Sequence, residues 1–204
     1  MSDDLLEKKK MILEKAIQLF GSNGKLTIRE LSKATGVNVA SITYYFGGKD
    51  NLLSEIEKRL FTDLDVIIDQ TVQEITNPQE ALYTLLFNLV SFVTDQPGIL
   101  NFLSHAVMDE ASTHRMQPLS EKILLGHFKE EVIRLLGEAS GIESEQELNN
   151  RYMIAFSAVT QPILGQMLAR NSFDMRPYTP MGVDTIEAFI RSLTRILCSG
   201  IRSQ

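Results

Sequence analysis

The chain has 204 residues, 44% of them hydrophobic and 23% charged, with a formal net charge of −6. This composition is typical of a globular protein, and no apolar run approaches the roughly 20 residues of a membrane-spanning helix. The charged N-terminus lacks the apolar core of a signal peptide, and the single cysteine, Cys198, excludes a framework of intrachain disulfides, so we expect a protein of the reducing cytoplasm with no membrane partner.

The negative charge is unevenly distributed along the chain. Residues 1–50 contain eight Lys and Arg and six Asp and Glu, a net charge of +2, whereas residues 51–204 contain twelve and twenty, a net charge of −8. Salt screens charges that lie more than about 8–10 Å apart. The acidic net charge therefore does not prevent a locally basic N-terminal segment from binding phosphates.

The first predicted helix runs from about Lys8 to Asn23. Its apolar residues recur at helical spacing and form one stripe that we expect to pack against the following helices: Ile12, Leu13, Ala16, Ile17 and Phe20. The lysines near its start, Lys8 to Lys10, have two interpretations. They form either a solvated helix start or an arm that contacts DNA phosphates.

Residues 27–36 predict a second, short helix with defined ends. Thr27 followed by Glu30 has the spacing of a capping box, in which each side chain accepts a hydrogen bond from an amide left open at the helix start. Gly36 suits the left-handed residue that ends a helix, and Val37 is expected to fold back into the core. Between these ends the predicted apolar face consists of Ile28, Leu31 and Ala34.

A third helix is predicted from Val39 to about Tyr45, with Asn38 as its N-terminal cap. Ile42 and Phe46 should point inward. The outer face then consists of Val39, Ala40, Thr43 and Tyr44. Two short helices joined by a tight glycine turn form a helix-turn-helix, whose second helix fits a DNA major groove.

Lys49 stands at the start of the fourth predicted helix, just after Gly47 and Gly48 break the chain. The free amides of a helix N-terminus attract anions, so Lys49 is predicted to bind a DNA phosphate. The candidate DNA-binding residues are Thr27, Asn38, Val39, Ala40, Thr43, Tyr44 and Lys49.

The same stretch, over about residues 9–58, resembles the DNA-binding domain of the TetR (tetracycline-repressor) family. The features that carry the resemblance are Leu19-Phe20, Gly24, Thr27, Ala34-Thr35-Gly36-Val37, Tyr44-Tyr45-Phe46, Lys49 and Leu52-Leu53. Thr43 and Ala40 depart from the pattern, since the family often has Tyr and Gly there. The resemblance implies a homodimer joined through its last two helices, in which an effector bound in the body moves the fourth helix and spreads the two DNA-binding heads.

The rest of the chain is predicted to be helical as well. The predicted helices run from Lys49 to about Ile75, Pro78 to about Asp95, Ile99 to Met108, Pro118 to about Gly137, Glu145 to Ala169 and Asp184 onward. With the three N-terminal helices the prediction is an all-α fold of about nine helices. We expect residues 1–50 to form the helix-turn-helix DNA-binding domain and residues 51–204 to form a helical effector-binding and dimerisation domain.

A small-molecule pocket is the functional interpretation of this second domain, because helical bundles place such sites between facing helices. The candidate ligand-binding residues are large apolar side chains and one histidine: Phe102, His105, Met108, Phe128, Tyr152 and Phe156. For each of them ordinary core packing is the alternative. The Met and aromatic content favours an apolar or aromatic effector, whose identity the sequence does not reveal.

The histidines also suggest a metal-binding or catalytic interpretation. His105 and Asp109 lie four residues apart on one predicted helix face, with Glu110 and His114 close behind, and this spacing suits three ligands of a divalent metal. The alternative is a polar helix end followed by a loop. No cysteine supports the metal site, and a His and an Asp four residues apart on a helix are common by chance, so we expect no bound metal. Because the chain has no nucleophile elbow, phosphate-binding loop, paired-cysteine motif or dinucleotide fingerprint, we expect no enzyme activity and no cofactor.

The last two predicted helices carry a wider apolar surface than a monomer needs, which is typical of a partner surface. A two-fold dimer suits a helix-turn-helix protein, which binds two half-sites about one helical turn apart. The sequence therefore predicts a homodimeric transcriptional regulator, interpreted as a repressor that a small molecule releases from double-stranded operator DNA. The alternative is a constitutive helix-turn-helix DNA-binding protein whose body only dimerises.

Overall fold

A computed structural model describes residues 3–23, 26–94, 126–171 and 183–199 of the chain. Eight α-helices and no strand lie within these ranges, which confirms the predicted all-α class. The helices are α1 (Asp3–Asn23), α2 (Ile28–Thr35), α3 (Val39–Phe46), α4 (Lys49–Glu74), α5 (Pro78–Thr94), α6 (His127–Ser140), α7 (Glu145–Asn171) and α8 (Val183–Cys198). In the ranges that the structure describes, no helix is both long and apolar enough to cross a membrane.

Two helix starts differ from the prediction by more than one residue. α1 begins at Asp3, five residues before the predicted start at Lys8. The predicted helix from Pro118 to about Gly137 is not continuous, so that prediction is wrong. Gly126 has an extended backbone (φ −97°, ψ −157°), and α6 begins directly after it. Glycine is a poor helix former because its backbone loses more freedom than any other residue on folding. The predicted helix Ile99–Met108 lies outside the described residues.

The chain divides into two compact units, and the described residues through Asp63 belong to the first. α2 contacts both α1 and α3. The buried apolar side chains of this unit are Ile12, Ala16, Phe20, Leu26, Leu31, Ile42, Phe46, Leu52, Ile56 and Leu60. Side chains of α1, α2, α3 and the first part of α4 thus share one small core, so α2 and α3 keep a defined geometry. A domain boundary between residues 50 and 51 stays a prediction.

The second unit contains the described residues from Leu64 onward and is built around α5. α5 contacts α6, α7 and α8. Its buried side chains follow one side of the helix, over about half of its circumference: Ala81, Leu82, Leu85, Leu86, Leu89, Val90 and Val93. Each fully buried Leu or Val stabilises the fold by about 1.5–3 kcal/mol. The other side chains of α5 from Tyr83 to Thr94 are half-buried, so the neighbouring helices cover one side of α5 more completely than the other.

Two hydrogen bonds of the second unit join the C-terminal half of α4 to its neighbours. His127 Nε2, at the start of α6, lies 2.8 Å from Asp69 Oδ1 of α4. The amide of Asn88, on α5, donates to Thr71 Oγ1 of α4 at 3.5 Å. α4 begins in the first unit and ends in the second. These contacts therefore hold the second half of a helix whose first half belongs to the unit with the two short helices.

Candidate nucleic-acid interface

The start of α2 is closed by the predicted capping box. The Glu30 amide donates to Thr27 Oγ1 at 3.2 Å, and the Thr27 amide donates to Glu30 Oε2 at 3.0 Å. The Thr27 hydroxyl also donates to Glu30 Oε2, at 2.7 Å. The two hydrogen bonds that Glu30 Oε2 accepts lower the pKa of the Glu30 carboxyl. The bond from the Thr27 hydroxyl has the larger effect and the bond from the Thr27 amide the smaller, and the carboxylate is ionised at neutral pH. Two residues that are neighbours in sequence thus define where the motif begins.

The turn between the two short helices depends on Gly36. Its φ is 71°, in the left-handed region that glycine adopts without strain, and its amide donates to the Ser32 carbonyl at 2.9 Å. Val37 is half-buried behind the turn, whereas Ala34 is exposed. The prediction that Ala34 belongs to the apolar face is therefore wrong. A helix of only eight residues turns so little surface inward that Leu31 alone is fully buried.

α3 begins at the predicted cap, since the Ser41 amide donates to Asn38 Oδ1 at 2.7 Å. Ile42 and Phe46 are buried as expected. The opposite side, which we call the reading face, consists of Val39, Ala40, Thr43 and Tyr44. All four side chains are exposed, and Tyr44 is 79% exposed with its ring packed edge-on against Tyr45. The burial of one side of α3 thus leaves the other side free for a partner.

Lys49 is exposed in the first turn of α4, at the position predicted for phosphate contact. Two glycines with positive φ separate it from α3: Gly47 at 74° and Gly48 at 132°. Because residues with a side chain rarely adopt such φ values, glycine is needed at both positions to turn the chain sharply between the two helices. The N-terminus of α4 consequently follows the end of α3 within two residues.

Two exposed cations on α2 were not predicted from the sequence. Arg29 and Lys33 lie four residues apart, hence on one side of the helix, while Leu31 is buried on another. The first helix of a helix-turn-helix crosses the DNA backbone, where cations contact phosphates. The i, i+4 spacing of the two charges on an eight-residue helix was the signal available in the sequence. Lys9, one of the three lysines near the start of α1, lies with Nζ 5.4 Å from the centre of the Phe46 ring.

Three of the six candidate ligand-binding residues can be placed. Phe128 of α6 and Tyr152 of α7 are buried, and the Tyr152 ring stacks on Phe156 with centroids 6.1 Å apart. Lys129 Nζ lies 5.7 Å from the centre of the Tyr152 ring. Burial raises the pKa of Tyr152 to about 12, so its phenol is neutral at physiological pH. The other three candidates, Phe102, His105 and Met108, lie outside the described residues.

The candidate metal ligands His105, Asp109, Glu110 and His114 also lie outside the described residues. Within the described ranges, no three His, Cys, Asp or Glu side chains are grouped so that they could hold a metal ion.

The capped α2, the glycine turn and the exposed α3 define a helix-turn-helix DNA-binding protein. Residues 12–56 match the family described as "Bacterial regulatory proteins, tetR family". The chain therefore carries a TetR-family DNA-binding domain, and it is a transcriptional regulator. Because the members of this family are regulators, the expectation that the chain is not an enzyme is confirmed.

Several relatives are similar over much of the chain. The probable HTH-type transcriptional regulator YttP of Bacillus subtilis is 25% identical over 195 residues, which cover 92% of this chain and 94% of YttP. The HTH-type transcriptional regulator BetI of Vibrio campbellii is 30% identical over 120 residues, 55% of this chain and 59% of BetI. The nucleoid occlusion factor SlmA of Haemophilus ducreyi is 24% identical over 180 residues, 84% of this chain and 86% of SlmA.

Two solved structures share the fold. The TetR family transcriptional regulator PfmR of Thermus thermophilus superposes with a TM-score of 0.60 at 20% identity, covering 94% of this chain and 99% of PfmR. A mutant of the HlyIIR protein gives a TM-score of 0.60 at 24% identity, covering 93% of this chain and 98% of that protein. The likeness extends beyond the helix-turn-helix to the helical body.

Proposed function

We propose that this regulator is a repressor of the cytoplasm, which binds operator DNA as a homodimer and leaves it when a small molecule binds the helical body. The observation that carries the proposal is the exposed reading face on α3, held between a capped α2 and the Lys49 end of α4. A surface of this shape enters a major groove, and its flanking amides and cations contact phosphates. Its proposed DNA contacts are Thr27, Asn38, Val39, Ala40, Thr43, Tyr44 and Lys49.

The dimer is proposed to form through α7 and α8. Both helices expose large apolar side chains: Met153 and Ile154 on α7, and Ile196 on α8, which is 66% exposed. α7 and α8 contact each other, so the three side chains belong to one helix pair. Covering such side chains with a second copy removes apolar area from water, at roughly 25 cal/mol per Å².

Ile196→Glu tests this surface, because a charge at a packed interface has no partner and costs several times more than at a free surface. Analytical ultracentrifugation should then show a monomer at concentrations where the wild type is a dimer. Val66→Glu is the matched control, since Val66 is also apolar and exposed (46%) but lies on α4. A dimer that survives Ile196→Glu, or that dissociates equally with both variants, would place the interface elsewhere.

The effector site is proposed around Phe102, His105, Met108, Phe128, Tyr152 and Phe156. The stacked rings of Tyr152 and Phe156 support an apolar or aromatic ligand, since such rings bury large areas in stacked contacts. A thermal-shift screen of small hydrophobic and aromatic molecules against the full chain is the direct test. A true effector should raise the melting temperature of the wild type, raise it less in Phe156→Ala, and release DNA from the wild type.

The second candidate is a constitutive DNA-binding protein whose body only dimerises. It is favoured by the name of one relative, a nucleoid occlusion factor that is similar over most of both chains. The same screen separates the two candidates. If the chain binds duplex DNA tightly, and if none of the molecules that raise its melting temperature changes its affinity for DNA, the chain is a constitutive DNA-binding protein.

A further inference from the structure

The reading face presents methyl groups to DNA rather than side chains that could form two hydrogen bonds to one base. α3 has the sequence VASITYYF and contains no Arg, Lys, Asn, Gln, Asp or Glu. Specific contacts to guanine most often come from Arg or Lys, and those to adenine from Asn or Gln. We propose that this face selects half-sites by the C5-methyl groups of thymines in the major groove. The proposal rests on the DNA binding proposed above and names the base chemistry that the same face recognises.

Thr43 contributes a methyl group more than a hydroxyl. Its hydroxyl donates to the Val39 carbonyl at 2.9 Å, one turn back along α3. The proton is thereby used within the helix, and the oxygen that remains can only accept. Together with the side chains of Val39 and Ala40, the Thr43 methyl completes a small apolar patch on exposed residues of one helix side. Such a patch fits an apolar group better than a base edge that needs donors.

The side chain of Asn38, the N-terminal cap of α3, also uses part of its hydrogen-bonding capacity within the helix. The side-chain oxygen of Asn38 accepts from the Ser41 amide at 2.7 Å, so part of the acceptor capacity that a bidentate contact to adenine needs is already used within the helix cap. The cations lie on the neighbouring helices instead: Arg29 and Lys33 on α2, and Lys49 on α4. These positions suit phosphates, which carry no sequence information. Among the groups that bases show in the major groove, the thymine methyl is the apolar one.

The DNA side of the test begins with duplexes that the full chain enriches from a randomised library. In the tightest of them, each half-site thymine is replaced by uracil, which removes the methyl and keeps the pairing edge. Each is also replaced, in a second series, by cytosine or 5-methylcytosine opposite guanine. A buried methyl is worth about fourfold in affinity, so we expect about a fourfold loss per contacted thymine and a matching preference for 5-methylcytosine over cytosine.

The protein side uses a matched pair of substitutions at Thr43. Thr43→Ser keeps the hydroxyl and removes the methyl, whereas Thr43→Val keeps the methyl shape and removes the hydroxyl. We expect Thr43→Ser to lose most of the discrimination between thymine and uracil at one position, and Thr43→Val to keep it. Thermal melting of both variants confirms that they fold, and Thr43 is exposed, so neither change disturbs the core.

The outcomes separate the two levels of the proposal. If the chain enriches no duplex, the proposed DNA binding itself fails. If it binds a duplex tightly but tolerates uracil at every thymine, or discriminates through the hydroxyl so that Thr43→Val and not Thr43→Ser loses the effect, DNA binding stands and methyl recognition is overturned. Loss with uracil, recovery with 5-methylcytosine and sensitivity to Thr43→Ser together establish it.

Discussion

Arg151 of α7 donates a hydrogen bond from its guanidinium to the backbone carbonyl of Leu197, in the last turn of α8. It also donates to the Ser199 carbonyl at 2.9 Å and to Glu147 Oε1 at 2.9 Å, although the residue is only 8% exposed. The last carbonyls of a helix have no partner inside the helix. Arg151 therefore ties the two helices proposed for dimerisation at a point where α8 would otherwise end unpaired.

Arg151→Met should lower the free energy of unfolding by about 3 kcal/mol, because it leaves the carbonyl of the buried residue Leu197 without this donor while preserving most of the side-chain volume. Urea unfolding measures the change. Arg134→Met is the control, since Arg134 on α6 is exposed and pairs within its own helix with Glu131 and Glu138 at 2.7 Å. Its loss should cost less than about 1 kcal/mol. Equal costs for both variants would mean that the contact across α7 and α8 adds nothing.

Lys49→Ala should weaken binding to all duplex sequences alike and reduce the salt slope by about one unit, because one phosphate contact is lost. Binding is measured by fluorescence anisotropy from low to physiological salt. Lys58→Ala is the control, since Lys58 is exposed on α4 beyond its N-terminal turns. An unchanged slope with Lys49→Ala would remove Lys49 from the phosphate contacts.

The capping box predicts a pH dependence of stability. Hydrogen bonds from Thr27 lower the pKa of Glu30 in the folded state below its ordinary value of 4.5. The ionised carboxylate therefore stabilises the fold above that ordinary value, and the stabilisation is lost as the pH falls through the lowered pKa. Wild type should be more stable than Glu30→Gln near neutral pH, and the difference should vanish in acid.

Urea unfolding of both proteins from about pH 7 down to about pH 3 follows this difference. In a Thr27→Val background the hydroxyl is absent, so the effect of Glu30→Gln should shrink and depend less on pH. A difference between the two proteins that is the same at every pH would show that the charge of Glu30 is irrelevant to the cap.

Gly36→Ala tests the turn between α2 and α3. A Cβ at Gly36 would have no atom within 4 Å, so its cost comes from the positive φ of 71° alone and should be about 1 kcal/mol. Gly137→Ala, inside α6, is the opposite case: its Cβ would make ordinary contacts, the nearest at 3.5 Å from the Ile142 carbonyl. Alanine there should add about 0.5–1 kcal/mol of helix stability. Differential scanning calorimetry distinguishes the two signs.

Coupling between effector and DNA is expected through α4. The helix spans roughly 40 Å at 1.5 Å per residue, and Asp69 and Thr71 in its second half bind α6 and α5. A shift of that half would move the other end, because packed helices move as units. If an effector weakens DNA binding tenfold, DNA must weaken effector binding tenfold, about 1.4 kcal/mol. Calorimetric titration measures the affinity for the effector in the presence and in the absence of operator DNA. Equal effector affinities in the two experiments would support the constitutive DNA-binding protein.

The DNA-binding motif could be predicted from the sequence because its signals are local. The Thr27 and Glu30 capping box, the Asn38 cap and the left-handed Gly36 each depend on atoms no more than four residues apart. Such contacts form whenever the backbone is helical, whatever the rest of the chain does. The buried side of α5 could be predicted for a related reason, since Leu and Val recur along it at helical spacing.

Other features were decided by tertiary structure, because they depend on which of several partners lies closest. Ser144 and Glu147 have the spacing of a second capping box, and the Glu147 amide does donate to Ser144 Oγ at 3.4 Å. The Glu147 carboxylate, however, accepts from Arg151, which is itself drawn to a carbonyl 46 residues away in the chain. The four-residue spacing of Glu147 and Arg151 is visible in the sequence, but the contact of Arg151 with α8 is not. The exposure of Ala34 likewise follows from how little of α2 its neighbours cover, which only the packed helices determine.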